Sequence, residues 1–192
     1  MLRNDLKPYI LLSILPLVYL ANTLETALFM GLVYMLLALV IYFAGSLIEK
    51  FSEGRIKLYI YIILASGLIT VTMTVLNTYF TLNQFMGIYL ALTLFVLPQL
   101  KADALSKEKA LPYVLMIGLG FVLLLVIGFL REFLGTGSIT LLAFGIDTVQ
   151  VFSREYAIAI LNNASGGFIL AGFIFAAVQA ISFERVGDKD VI

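Results

Sequence analysis

Cysteine, histidine and tryptophan are missing from this 192-residue chain, and charge is scarce, with 12 Lys and Arg against 12 Asp and Glu. Without thiols or imidazoles the chain cannot ligate an iron–sulfur cluster through cysteine, bind a metal through histidine, hold haem through histidine, or use a cysteine nucleophile. The net charge of zero and the lack of any long run of one sign leave no electrostatic footprint for nucleic acid. Carboxylates, hydroxyls, amides and the backbone must therefore carry any chemistry. What the chain has instead is apolar surface: 62% of its residues are hydrophobic and the mean hydropathy is +1.07. A core of this size cannot hide so many apolar side chains from water, and the composition predicts an integral membrane protein.

Crossing a bilayer core of about 30 Å takes roughly 20 helical residues. Four apolar stretches are long enough, namely Thr26–Ile48, Lys57–Phe80, Pro112–Leu134 and about Tyr156–Phe183. Two shorter ones, Pro8–Asn22 and Asn83–Pro98, each carry a proline. Proline removes a backbone donor and clashes with the preceding turn, so these segments are expected to be short, kinked or broken helices.

The chain also repeats itself. Leu15-Pro16 recurs as Leu97-Pro98, Gly45 and Glu49 recur as Gly128 and Glu132, and Arg55 with Ala65-Ser66-Gly67 recurs as Arg154 with Ala164-Ser165-Gly166. The intervals nearly match: 33 residues from Pro16 to Glu49, 34 from Pro98 to Glu132, and 11 from either arginine to its serine. Three crossings per half force the halves to run in opposite directions, the inverted-repeat plan of many transporters, with the working site where the halves meet. The expected fold is thus all-α, six transmembrane helices in two inverted three-helix repeats, the first and fourth helices short or broken. It forms one membrane domain over 1–192, with repeat one at about 8–80 and repeat two at about 83–184.

Positive charge orients this arrangement. Arg3, Lys7, Lys50, Arg55, Lys57, Lys101, Lys107, Lys109, Arg185 and Lys189 fall on one side, and only Arg131 and Arg154 on the other. Both termini are expected in the cytoplasm, in a multi-pass protein of the inner (cytoplasmic) membrane. The segment from Gly135 to about Glu155 is the one long connection, and its apolar run Ile139–Ile146 suggests that it lies along the outer membrane surface or against a partner.

Polar residues at membrane depth are costly and point to candidate sites. Asn77, Asn162, Asn163 and Gln179 lie in or beside the apolar stretches, as do Thr70, Thr72 and Thr74, which can bond to carbonyls of their own helix. Glu25 opens the second helix, and Glu49 and Glu132 are expected to pair with their neighbours Lys50 and Arg131. Small residues at Ala65-Ser66-Gly67, Gly118, Gly120, Gly166, Gly167, Ala171 and Gly172 mark close helix packing.

The run from Leu20 to Leu32, Met86-Gly87-Ile88-Tyr89, and Gly118-Leu119-Gly120-Phe121 through Arg131-Glu132-Phe133-Leu134-Gly135-Thr136-Gly137 resemble stretches of the Rnf/Nqr family of membrane subunits. The Gly-Thr-Gly tail is most similar to the RnfE/NqrD side of that family. The resemblance implies six helices in two inverted repeats with broken first and fourth helices, and subunits that work in pairs of opposite orientation. It also implies a 2Fe-2S cluster inside the membrane, held by four cysteines, two from each partner. Carried onto this chain, the cysteine positions fall at Leu15 and Leu97, each directly before a proline, and leucine cannot bind iron.

The resulting expectation is a membrane subunit of an Rnf/Nqr-like ion-translocating electron-transport complex that has lost its cluster ligands and acts as scaffold and ion path. It would be a non-catalytic subunit of a membrane oxidoreductase or translocase. No cofactor is expected in this chain, with flavin or iron–sulfur groups in partner subunits. The expected partners are a same-family membrane subunit of opposite orientation, other membrane subunits, soluble redox subunits and the lipid bilayer. The half-helix breaks are assigned to Pro16 and Pro98, and the ion path to Asn22, Glu25, Asn162 and Asn163. Two alternatives stand beside this: a non-redox inverted-repeat transporter of a small ion or solute, and a structural membrane anchor for soluble subunits.

Overall fold

In a computed structural model of the chain, the described residues are 7–51, 55–79, 87–93, 110–142 and 145–187, and they are mostly helical. Helix α1 spans Lys7–Leu20, α2 Leu24–Phe51 and α3 Arg55–Tyr79, followed by a helical segment α4 over 87–93. Helix α5 spans Ala110–Thr136 and α6 Ala164–Gly187. Among the described residues, two stretches are long and apolar enough to cross a membrane, Leu24–Gly45 with 22 residues and Tyr113–Thr136 with 24. At 1.5 Å per residue each reaches about 33 to 36 Å. Shorter apolar helical stretches run over Tyr59–Val75 and Ala164–Ala177.

Three sequence expectations change here. The fold is not wholly helical, because Ser138–Leu141 (β1) and Ile146–Gln150 (β2) form a two-stranded antiparallel sheet with Ile139 opposite Val149. Gly137 and Gly145 permit this hairpin, with φ of 72° and 73° in the left-handed region that glycine adopts without a Cβ penalty. The last helix begins at Ala164 and not near Tyr156, because Arg154–Tyr156 and Ala159–Asn162 are short 3-10 turns. Finally, α1 is short, with 14 residues, but it continues unbroken through Pro16. The interruption comes later, at Ala21-Asn22-Thr23. Leu97 and Pro98 lie outside the described residues.

Helices α2 and α5 form the main packed pair, and α1 lies against α5 and α6. Their shared core holds Ile14, Leu17, Tyr34, Leu37, Ile41, Tyr113, Ile117 and Leu124. Gly31 and Gly120 allow this approach: a Cβ on Gly31 would enter the Phe121 ring, and one on Gly120 would sit 3.1 Å from Ile14 and Tyr34. Polar groups in the core have partners. The hydroxyls of Ser13 and Tyr34 bond at 3.0 Å, and the Tyr113 hydroxyl donates to the Ala38 carbonyl at 3.1 Å while its ring stacks on Tyr42. Tyr19 stacks on Tyr89 with ring centroids 4.4 Å apart, which sets α1 beside α4.

Away from this core the helices are apolar and open. On α2, Leu32, Leu36, Val40, Phe43 and Leu47 recur every three or four residues and are exposed, with Leu36 and Phe43 at 64%. A stripe of that spacing is one helix face, and one helix that buries one apolar face and exposes another is suited to lipid or to a neighbouring subunit. On α3, Thr70, Thr74 and Thr78 are exposed and donate to carbonyls four residues back at 2.8 to 3.0 Å, as expected of threonines that need no outside partner. Among the described residues, nothing lies within 4 Å of a Cβ placed on Gly67, Gly118 or Gly172.

Candidate functional site

The break between α1 and α2 is where the polar chemistry of the chain converges. Thr23 opens α2 as its cap: its hydroxyl accepts from the Thr26 amide at 3.1 Å, and the Thr26 hydroxyl accepts from the Thr23 amide at 3.0 Å. This reciprocal exchange satisfies two of the donors that every helix start leaves open. The Thr26 hydroxyl lies 2.9 Å from the Asn22 side-chain oxygen, and Glu25 sits in the first helical turn, where a carboxylate meets the positive end of the helix dipole.

From α5, two consecutive residues reach this break. Arg131 and Glu132 are 1% and 2% exposed, although both side chains carry charge groups. Glu132 accepts from the Leu24 amide at 2.7 Å through one oxygen, and through the other from the Thr140 amide at 2.6 Å and the Thr140 hydroxyl. It therefore joins the start of α2 to strand β1. Arg131 does the opposite with equal completeness. Its Nη1 donates to the carbonyls of Val18 at 2.7 Å and Ala21 at 2.8 Å, at the end of α1. Its Nε and Nη2 donate to the carbonyls of Leu161 at 3.2 Å, Asn162 at 3.4 Å and Asn163 at 3.2 Å, at the end of the second 3-10 turn. The five N–H groups of a guanidinium thus meet five carbonyls.

Both charges match the dipole of the end they serve, the cation at a helix C-terminus and the anion at an N-terminus. Glycines let the parts close on one another. A Cβ on Gly167 would lie 2.9 Å from the Arg131 Cζ, and one on Gly166 would strike the Ile160 carbonyl and lie 2.5 Å from the Leu161 Cα. A Cβ on Gly128 would strike Ala27 and come within 3.0 Å of the Thr23 carbonyl. The amide of Ile158 donates to the Leu134 carbonyl at 2.8 Å, so the chain after the hairpin returns alongside the last turns of α5. This site can hold fixed charge and bind helix ends together. Both charged side chains, Arg131 and Glu132, are engaged in bonds to the backbone, and the Thr140 hydroxyl that meets the Glu132 carboxylate shares that oxygen with the Thr140 amide.

The sequence matches the Rnf-Nqr subunit family of membrane proteins over residues 1–182. The chain belongs to that family. It is 30% identical to the E subunit of the ion-translocating oxidoreductase complex of Sodalis glossinidius, over 93% of this chain and 83% of that protein. It is similar to the corresponding protein of Cellvibrio japonicus, 29% identical over 89% of this chain and 78% of that protein. It is also 34% identical to the E subunit of the proton-translocating ferredoxin:NAD(+) oxidoreductase complex of Clostridium ljungdahlii, over 70% of this chain and 63% of that protein.

Within this Rnf-Nqr chain, the residues expected to form an ion path are partly gathered. Asn22 lies in the break and Glu25 just after it, and Asn162 and Asn163 are tied to it through Arg131, which bonds their backbone carbonyls, while both of these residues are exposed. Leu15 is half-buried on α1. A leucine offers no donor atom, and the sequence contains neither cysteine nor histidine, so the residues present do not fit a 2Fe-2S cluster. Glu132 does not pair with Arg131 as expected, since its oxygens are bonded to Leu24 and Thr140. The residues missed as a site were Arg131 and Thr140. The signal was available, as Arg131 and Glu132 are the only charged residues inside the apolar run from Tyr113 to Thr136.

Proposed function

We propose that this chain is a membrane subunit of an Rnf/Nqr-type ion-translocating electron-transport complex in which it serves as scaffold and borders an ion path, with no cluster of its own. The observation that carries this reading is the family match over residues 1–182, in a chain whose relatives are named as E subunits of ion-translocating oxidoreductase complexes. In this reading the six helices form two inverted repeats in the inner membrane with both termini cytoplasmic, and repeat mates Leu15-Pro16 and Leu97-Pro98 face each other. The contact of α1 with α4 through Tyr19 and Tyr89 supports that pairing, because these elements open the two halves. Leucine at both ligand positions replaces the cluster with apolar packing, and electrons pass through other subunits that carry flavin or iron–sulfur groups. The exposed apolar faces of α2 and α3 supply area for a same-family partner of opposite orientation.

Purification of the tagged chain from its native membrane in mild detergent tests this. Co-purification of subunits bearing flavin or iron–sulfur groups, together with an isolated chain that has no 2Fe-2S signal in electron paramagnetic resonance after reduction, is the expected result. Recovery of a lone homodimer that moves a solute in proteoliposomes would replace this reading with a non-redox transporter. Soluble subunits bound without redox groups would replace it with a structural anchor.

A further inference from the structure

The five carbonyls that surround Arg131 come from two separate chain ends, and both ends present their negative dipole to the same point. Val18 and Ala21 close α1, while Leu161, Asn162 and Asn163 close the 3-10 turn before α6. Converging carbonyls with no carboxylate among the bonded partners are what coordinates a weakly hydrated monovalent cation. Arg131 itself is 1% exposed and has its guanidinium laid against Gly167, whose missing Cβ makes the room. A buried cation normally demands an anionic partner. Here the nearest carboxylate in sequence, Glu132, is bonded to Leu24 and Thr140 instead. The cage therefore neutralises Arg131 through backbone oxygens alone, among the described residues.

We propose that these carbonyls form a monovalent-cation site whose resident is the chain's own guanidinium, a tethered cation that plugs the gap between the end of α1 and the 159–163 turn. With Arg131 in place a mobile cation meets both a filled site and a fixed like charge. Asn22, Glu25, Asn162 and Asn163 then line the approach to a plug and not an open passage. This bearing on an ion path rests on the proposed function, whereas the cage itself does not. When the side chain is removed, a free cation of matching shape takes the vacated place.

The test is thermal unfolding of the full chain in detergent, with variants at this position and with guanidinium chloride from 0 to roughly 20 mM, a range far below denaturing concentrations. Arg131→Ala is expected to melt about 10 °C below the native chain, given the cluster of buried carbonyls left bare. Guanidinium should restore half or more of that loss, while urea of equal concentration and similar shape restores none and the native chain responds to neither. Arg131→Lys and Arg131→Met give a second measure that holds even where the alanine variant fails to fold. The lysine variant should melt higher than the methionine variant, because both fill the space and only one carries charge. Restoration by urea as strong as by guanidinium, no restoration of a folded Arg131→Ala, or a methionine variant as stable as the lysine one would each overturn the proposal. None of these readouts involves partner subunits, so their failure is distinct from failure of the complex to co-purify.

Discussion

Substitution of Glu132 by glutamine is expected to destabilise the chain nearly as much as substitution by alanine, although glutamine has the same shape. The structure gives the reason. Both carboxylate oxygens face donors: one accepts from the Leu24 amide at 2.7 Å, the other from the Thr140 amide at 2.6 Å and from the Thr140 hydroxyl. A glutamine side chain has one accepting oxygen and one donating nitrogen. Either way it is turned, its NH2 group points at a backbone N–H. The hydroxyl of Thr140 can rotate away from such a clash, but neither amide can. A buried donor left without an acceptor costs about 1–3 kcal/mol, and the surviving bond loses the charge that made it strong. The total is roughly 2–4 kcal/mol for Glu132→Gln, against about 3–5 kcal/mol for Glu132→Ala. For a chain of this length each kcal/mol moves the melting midpoint by about 2–4 °C. Glutamine should therefore lower it by roughly 4–16 °C. Differential scanning fluorimetry of the purified chain measures this, with amide exchange at Leu24 and Thr140 reporting where the protection is lost. A Glu132→Gln chain that melts within about 1 °C of the native one, with both amides still protected, would refute the assignment of Glu132 as an acceptor on both sides.

Gly167→Ala places a methyl group 2.9 Å from the Arg131 Cζ. Arginine tips usually yield to such a contact, but five bonds fix this one, so a loss of about 1–3 kcal/mol is expected in thermal unfolding. Tyr113→Phe removes the bond to the Ala38 carbonyl but keeps the stack on Tyr42, and should cost about 0.5–1.5 kcal/mol by the same assay. Thr74→Val and Thr78→Val lose only bonds to their own helix on an exposed face, and stability measured by thermal unfolding should stay within about 0.5 kcal/mol of the native chain.

The long helices were legible because their signal is long. Leu24–Gly45 and Tyr113–Thr136 are apolar along nearly their whole length, and a few polar residues near their ends cannot overrule a signal of 22 or 24 residues. Shorter signals failed where the chain's bonds reach far along the sequence. Ala157 to Leu161 reads as the start of a helix by composition, yet the Ile158 amide is taken by the Leu134 carbonyl and the carbonyls of Leu161 to Asn163 are taken by Arg131. Partners some 24 to 32 positions away leave no trace in a window of local hydropathy. The hairpin was missed for a related reason. Its apolar run from Ile139 to Ile146 has no clean alternation, and β1 gains a strong anchor from a residue outside the sheet, Glu132.

Pro16 and the dipeptide Arg131-Glu132 bear on the same break, the proline less and the charged pair more than local sequence indicates. Pro16 marked a plausible interruption, yet proline within α1 forfeits one bond and the helix carries on past it for four residues. The chain turns instead at Ala21-Asn22-Thr23, where the ends it leaves open are supplied by α5. Arg131 and Glu132 were expected to neutralise each other because they are adjacent. Neighbours on a helix point about 100° apart, however, and do not face one another. That divergence sends the cation to the carbonyls closing α1 and the carboxylate to the amide opening α2. A break between two membrane helices exposes four carbonyls on one side and four amides on the other. One adjacent pair of opposite charges, rigidly splayed by the helix that carries it, is the smallest device able to serve both.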